Sequence, residues 1–140
     1  MNGNAIFISI KPKFTKKIEA GEKNYEFRKY YPKEPINQLY VYESSPTCSL
    51  KYIIDIGDVI KYPDKIKKAG YGNSDFNKGS KESKYAYEIK RLYKLEKSIP
   101  LDILKSKFDF APPQSYAYAS NYLELTEYIS KVKKEMIFEL

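Results

Sequence analysis

The stretch SIKPKFTKKIEAGEKNYEFR, residues 9–28, decides the fold, because it passes from strand to helix to strand within one short run of chain. Upstream, AIFISI (residues 5–10) is apolar and β-branched, the composition of a buried strand. Lys11-Pro12 punctuates it, and Pro12 suits the first position of a helix, where a missing N–H costs nothing. Phe14 and Ile18 fall four residues apart on one helical face with lysines elsewhere, and Gly21 is the stop. From Lys23 to Tyr30 the period becomes two: Tyr25 and Phe27 share one face of a strand, Glu26 and Arg28 the other. Lys23 has the opposite parity, so it joins Glu26 and Arg28 only from irregular chain just after Gly21.

Farther along, YYPKEPIN is a connection, and QLYVYES and LKYIIDIGDVIKY are two strands separated by SPTC, the second with a bulge or bend at Gly57. Residues 64–83 are polar, lysine-rich and hold Gly70, Gly72 and Gly79; they are expected to form a mobile excursion with a helical turn near Asp75–Phe76, either a lid or a disordered loop. KYAYEIKRLYKL alternates, which places Tyr85, Tyr87, Ile89, Arg91 and Tyr93 on one side of a long strand. LDILKSKF is a short helix and APPQSYAYAS a turn-rich segment. The end is expected to be a helix capped by Asn121, with Glu124 at its third position. Its stripe of Tyr122, Leu125, Ile129, Val132 and Met136 either docks on the same domain or meets a partner helix.

At 140 residues the chain is the size of one domain. Fifteen tyrosines and seven phenylalanines give it an aromatic surface suited to base stacking and equally to half-exposed strands. A net charge of +7 favours an anionic partner without choosing between polyphosphate and an acidic membrane surface. No apolar run approaches the roughly 18 residues of a membrane span, and the N-terminus lacks the features of a secretory leader. A cytoplasmic location follows as the expectation. Cys48 stands alone and histidine is absent, which removes a histidine-based nucleophilic triad and most transition-metal chemistry; no metal and no cofactor are expected.

The order strand, KP, short helix, GxKxxExR strand resembles the ASCH domain, a branch of the PUA-like superfold. VYESSP is similar to that family's strand ending in hydroxyl residues and proline, and FAPPQSY to a segment near the end of many members. The resemblance spans about residues 5–120. It implies an α+β fold: a small, strongly bent PUA-like β-barrel of about five to six strands, with short helices at its openings. Residues 1–120 are then the ASCH domain, and residues 121–140 are expected to be a C-terminal amphipathic helix packed on or extending from it. The resemblance also implies RNA-related roles and a cleft between barrel and first helix. Lys23, Glu26 and Arg28 become its polar core, with Lys11, Ser44, Ser45, Gln114, Ser115 and Tyr116 as its rim.

Such a cleft suits binding. Arg28 offers a planar fork for a phosphate or base edge, Lys23 a point charge, and Glu26 an acceptor for an exocyclic amine. Tyr85 and Tyr116 are candidates to stack on an extracted base. The first reading is therefore an RNA- or modified-nucleotide-binding protein. A second makes Lys23 and Glu26 catalytic residues of a hydrolase acting on a modified nucleoside or on RNA, although the threonine of ASCH amidohydrolases is replaced here by Glu26. The third is a protein-interaction module.

Overall fold

The computed structural model describes residues 4–140; residues 1–3, where the leader reading begins, lie outside it. The chain runs through β1 (Ala5–Ile10), α1 (Pro12–Glu19), β2 (Tyr25–Arg28), β3 (Gln38–Glu43), β4 (Ser49–Lys61), α2 (Asn73–Lys78), β5 (Tyr85–Pro100), α3 (Leu101–Phe108), β6 (Ala117–Tyr118), α4 (Leu123–Lys131) and β7 (Lys134–Glu139). The strands form one sheet in the order β2-β5-β4-β3-β1-β6, and β7 pairs with β5. Among the described residues only β1 and β3 pair in parallel; α1 and β2 lie in the crossover that a parallel pair requires. The sheet curls into a half-barrel with short helices around it, so the fold is α+β and bent, with seven strands among the described residues rather than five to six.

β1 is buried on both faces, which explains why AIFISI does not alternate. Ala5 and Phe7 pack toward α3 and α4 with Tyr40, Leu104, Leu125 and Ile129. Ile6, Ile8 and Ile10 fill the concave side with Ile18 of α1, Leu39, Ile54 and Ile89. A third cluster lies outside β2, where Phe76 of α2 stacks on Phe27 with ring centroids 5.6 Å apart.

The alternation in β5 changes phase. Ile56 pairs with Ile89 but Asp55 with Arg91, so Lys90 is an extra residue. Tyr87, Ile89 and then Leu92 face the concave cluster, while Arg91 turns outward to ion pairs with Asp55 at 2.8 Å and Glu139 at 2.9 Å. The expected single face from Tyr85 to Tyr93 is thereby split. Gly57 lies at a second shift, and a Cβ there would stand 2.4 Å from Glu88 Oε1.

The C-terminus departs from a continuous helix. α4 ends at Lys131, and β7 takes the edge of β5 that β2 leaves open beyond Glu88. Leu125 and Ile129 are buried as the stripe requires, but Met136 sits on β7 and is 49% exposed. A spacing of three and four ran on into KEMIFE, but these residues pair with the vacant edge of β5, where Ile137 and Phe138 pack on the concave cluster. Tyr122 precedes the first turn of α4 without a side-chain cap, because Asn121 is taken up in a 3-10 turn at Ala119–Asn121. Residues 64–83 hold α2, near the expected helical turn, and are tied to the rest of the fold by Phe76 and by asparagine hydrogen bonds described below.

Candidate functional site

The site begins with how α1 ends. Gly21 adopts φ +80°, and its N–H donates to Ile18 O at 3.0 Å while Glu22 N–H donates to Lys17 O at 2.9 Å. This is a Schellman termination, which favours glycine at the left-handed position. Lys23 then lies in irregular chain before β2, so strand parity does not bind it. Its side chain, 4% exposed, runs beneath Phe27 with Nζ 4.3 Å from the ring centroid; Phe14 of α1 lies on another side at 5.8 Å.

Lys23 Nζ donates to Tyr25 O at 2.6 Å and stands 3.5 Å from Glu26 Oε1. Arg28 Nη1 meets the other carboxylate oxygen at 3.1 Å, so Glu26 lies between two cations with its side chain 8% exposed. Burial pushes the Lys23 ammonium below the usual lysine value; Glu26 opposes that shift and nearby Lys81 adds to it.

Arg28 also reaches across the opening of the half-barrel. Nη1 donates to Ser9 O on β1 at 3.3 Å, and Nη2 donates to Ser115 O, just before β6, at 2.9 Å. Since β2 and β6 are the two ends of the strand order, one side chain bridges the seam of the sheet. Ser9 Oγ donates to Pro113 O at 2.8 Å and holds the segment after α3 along the same seam. Those bonds engage three of the five guanidinium N–H groups and leave two.

Above Arg28 opens a hollow of about 480 Å³, walled by Ser9, Phe27, Arg28, Gln114 and Ser115. Lys29, Tyr30 and Ser83 complete its rim. Of the residues singled out in the sequence, Arg28, Gln114 and Ser115 line this hollow, with Lys23 and Glu26 buried behind Arg28. Tyr85 faces Arg28 across the β2–β5 ladder but stacks on Tyr31 at 6.1 Å. Tyr116 packs edge-on against Tyr118 at 5.5 Å. Lys11 is exposed before α1, and Ser44 Oγ turns to Ile10 O at 3.5 Å, with Ser45 exposed beside it; all three stand at the C-terminal ends of β1 and β3 and do not line the hollow. Ser9, Phe27, Lys29, Tyr30 and Ser83 are the lining residues that sequence reasoning passed over. Ser9, the polar residue within an otherwise apolar strand, carried the signal that was available.

A second buried carboxylate lies at the end of β3. Glu43, 4% exposed, accepts from the hydroxyls of Thr15 and Thr47, both at 2.5 Å, and from Lys51 at 3.5 Å. Burial pushes its pKa up, and the two hydroxyls and Lys51 together outweigh that and hold it below the usual carboxylate value. These bonds tie α1 to β3 and fix the strand–helix unit that presents Lys23.

The buried Lys-Glu-Arg set after a glycine-terminated helix agrees with the family pattern, and the ASCH domain model matches residues 8–97. The chain belongs to the ASCH domain family. This ASCH chain is similar to the crystal structure of an ASCH protein from Zymomonas mobilis, with a TM-score of 0.68, 23% identity, and 93% of this chain and 96% of that one covered. A tyrosine-to-phenylalanine variant of the Zymomonas protein gives 0.68 and 22%, covering 93% and 99%. Its serine-to-alanine variant gives 0.67 and 21%, covering 94% and 99%. At such identity these likenesses carry the fold, which is PUA-like. No curated protein matches the chain. Among the described residues no helix is long and apolar enough to cross a membrane, and no cluster of acidic or cysteine side chains is arranged to hold a metal ion.

Proposed function

We propose that this ASCH protein binds RNA or a modified nucleotide in the hollow at the seam of its half-barrel. The observation that carries the reading is the state of Arg28: its guanidinium is locked in place by three protein acceptors and still offers two N–H groups at a hollow of nucleoside size. A pre-oriented fork loses little entropy on meeting a phosphate or a base edge. Gln114, exposed and free of other hydrogen bonds among the described residues, supplies a donor and an acceptor beside it. Phe27 gives the hollow an aromatic side, although its ring already packs on Phe76 and Lys23, and neither Tyr85 nor Tyr116 lines it. The RNA association of the PUA-like superfold and the positive net charge favour the same ligand class. Lys23 and Glu26 act on this reading as positioning residues that hold Arg28.

Hydrolysis is the second reading, and one observation favours it: burial lowers the Lys23 pKa, as nucleophilic and general-base lysines require. Against it, Lys23 Nζ is roofed by aromatic rings and lines no part of the hollow. Calorimetric titration of nucleoside monophosphates, plain and base-modified, into wild-type and Gln114→Ala protein tests the binding reading. Saturable binding weakened about tenfold by the substitution, the loss of one hydrogen bond, is expected. Absence of binding across the panel, or equal affinity for both proteins, overturns it. Product formation that survives Arg28→Lys but stops in Lys23→Met protein would favour hydrolysis.

A further inference from the structure

The 64–83 excursion builds a second hollow, of about 420 Å³, walled by Lys65, Lys68, Gly70, Asn73, Asn77 and Lys78. No carboxylate lines it. Lys68 is paired with Glu88 at 2.7 Å, whereas among the described residues Lys65 and Lys78 reach no acidic partner within ion-pair distance. Lys65 Nζ donates to Asn77 O at 3.3 Å, and the charges of Lys65 and Lys78 are offset by no carboxylate in the lining, so the hollow favours an anion.

Its walls are preformed. Asn77 clamps the backbone of Ile66 from both sides, accepting from its N–H at 2.8 Å and donating to its carbonyl at 2.9 Å. Asn73 Nδ2 donates to Lys68 O at 3.1 Å and to Asn24 Oδ1 at 3.0 Å, and Asn24 Nδ2 donates to Ala69 O at 3.0 Å. The chain lies so close at Gly70 that a Cβ would stand 2.4 Å from Asn24 Oδ1. A polar, glycine-containing loop is thus held by side-chain amides in one shape, with its lysines at the rim.

One aromatic pair links the elements that wall the two hollows. Phe27 lines the Arg28 hollow, and its ring stacks on Phe76, which lies in α2 between Asn73 and Asn77 of the second hollow. Lys81 Nζ, 4.8 Å from the Phe27 centroid, stands beside that pair. Lys81 thus adds a cation between the two hollows, near the exposed Lys29–Glu82 pair.

We infer that the Lys65–Lys68–Lys78 hollow is a subsite for the phosphate backbone of single-stranded RNA, engaging a strand whose neighbouring nucleotide occupies the Arg28 hollow. The inference rests on the nucleotide-binding reading and narrows it: the ligand is an oligonucleotide rather than a free nucleotide. A strand across both hollows gains affinity by joining two weak contacts in one molecule.

The test uses Lys65→Gln/Lys78→Gln protein, whose changes are at exposed positions, and a control, Lys105→Gln/Lys133→Gln, with the same charge loss on the side of α3 and α4. Binding of the monophosphate that scores best in the panel is compared with binding of a fluorescent oligonucleotide of that base, about eight nucleotides long, across a salt series. In wild-type protein the oligonucleotide binds more tightly than the monophosphate. The test variant weakens it about tenfold and lowers the slope of log K against log salt by about 1.4, at 0.7 per phosphate contact; monophosphate affinity stays the same and the control stays near wild type. An oligonucleotide no tighter than the monophosphate, or equal losses in both variants, overturns this subsite while leaving nucleotide binding intact. If neither ligand binds wild-type protein, the nucleotide reading and the subsite fall together. DNA binding as tightly as RNA removes the RNA assignment.

Discussion

Arg28 on β2 donates a 3.3 Å hydrogen bond to the carbonyl of Ser9 on β1 and, with its bond to Ser115 just before β6, ties together opposite sides of the seam of a curled sheet. Its partners are internal to the fold, and a ligand would use only what remains. Arg28→Ala should therefore destabilise the protein as well as weaken binding, by about 2–4 kcal/mol, since it removes charge-assisted bonds and leaves Glu26 with one cation. Urea unfolding measures this. An unchanged midpoint would mean that the seam closes without Arg28.

Glu26→Gln asks the converse question. The amide keeps the shape, but Lys23, 4% exposed, loses the only carboxylate within ion-pair distance among the described residues. A loss of about 3–5 kcal/mol is expected, the range for breaking a buried pair from one side. Lys23→Met in the same background should restore part of it by removing the stranded charge. A double variant less stable than Glu26→Gln alone would contradict this account of the cluster.

Lys23 also predicts a pH dependence. Its folded-state pKa lies below that of the unfolded chain, so between the two values the unfolded state binds more protons. Stability from this group is fully present above the unfolded value of about 10.4 and is lost as pH falls through the folded value. Unfolding free energies of wild-type and Lys23→Met proteins, measured from neutral pH to about 10, should diverge, with wild type gaining on the variant as pH rises. Parallel curves would show that Lys23 is not desolvated.

Ending the chain at Lys133 should cost about 2–4 kcal/mol. It removes β7, whose Ile137 and Phe138 pack on the concave cluster, and leaves the edge of β5 from Arg91 to Leu95 unpaired. Circular dichroism melting of the truncated protein checks it. An unaltered melting temperature would make β7 dispensable.

The contrast between β7 and β2 shows what the sequence made legible. At β2 local signals agreed: Pro12 opened α1, Gly21 closed it, and alternation put Glu26 and Arg28 on one face. At the C-terminus the helical spacing ran on unbroken, and only the vacancy on β5 beyond β2 made residues 134–139 a strand. That vacancy arises from strand lengths and cannot be read from KEMIFE itself. The same holds for the hollow. Arg28 was visible as a motif residue, yet its use as a seam bridge depends on Ser9 and Ser115, 19 and 87 residues away in the chain. Lys90 likewise fits the alternating pattern of β5 and becomes an extra residue only through its pairing with β4.

Amide chemical-shift mapping with a nucleoside monophosphate is the most direct measurement. Saturable shifts clustered at residues 27–30, Ser83 and Gln114–Ser115, around the seam hollow, are the expected result. Shifts confined to other faces, or none at millimolar ligand, would contradict nucleotide binding there.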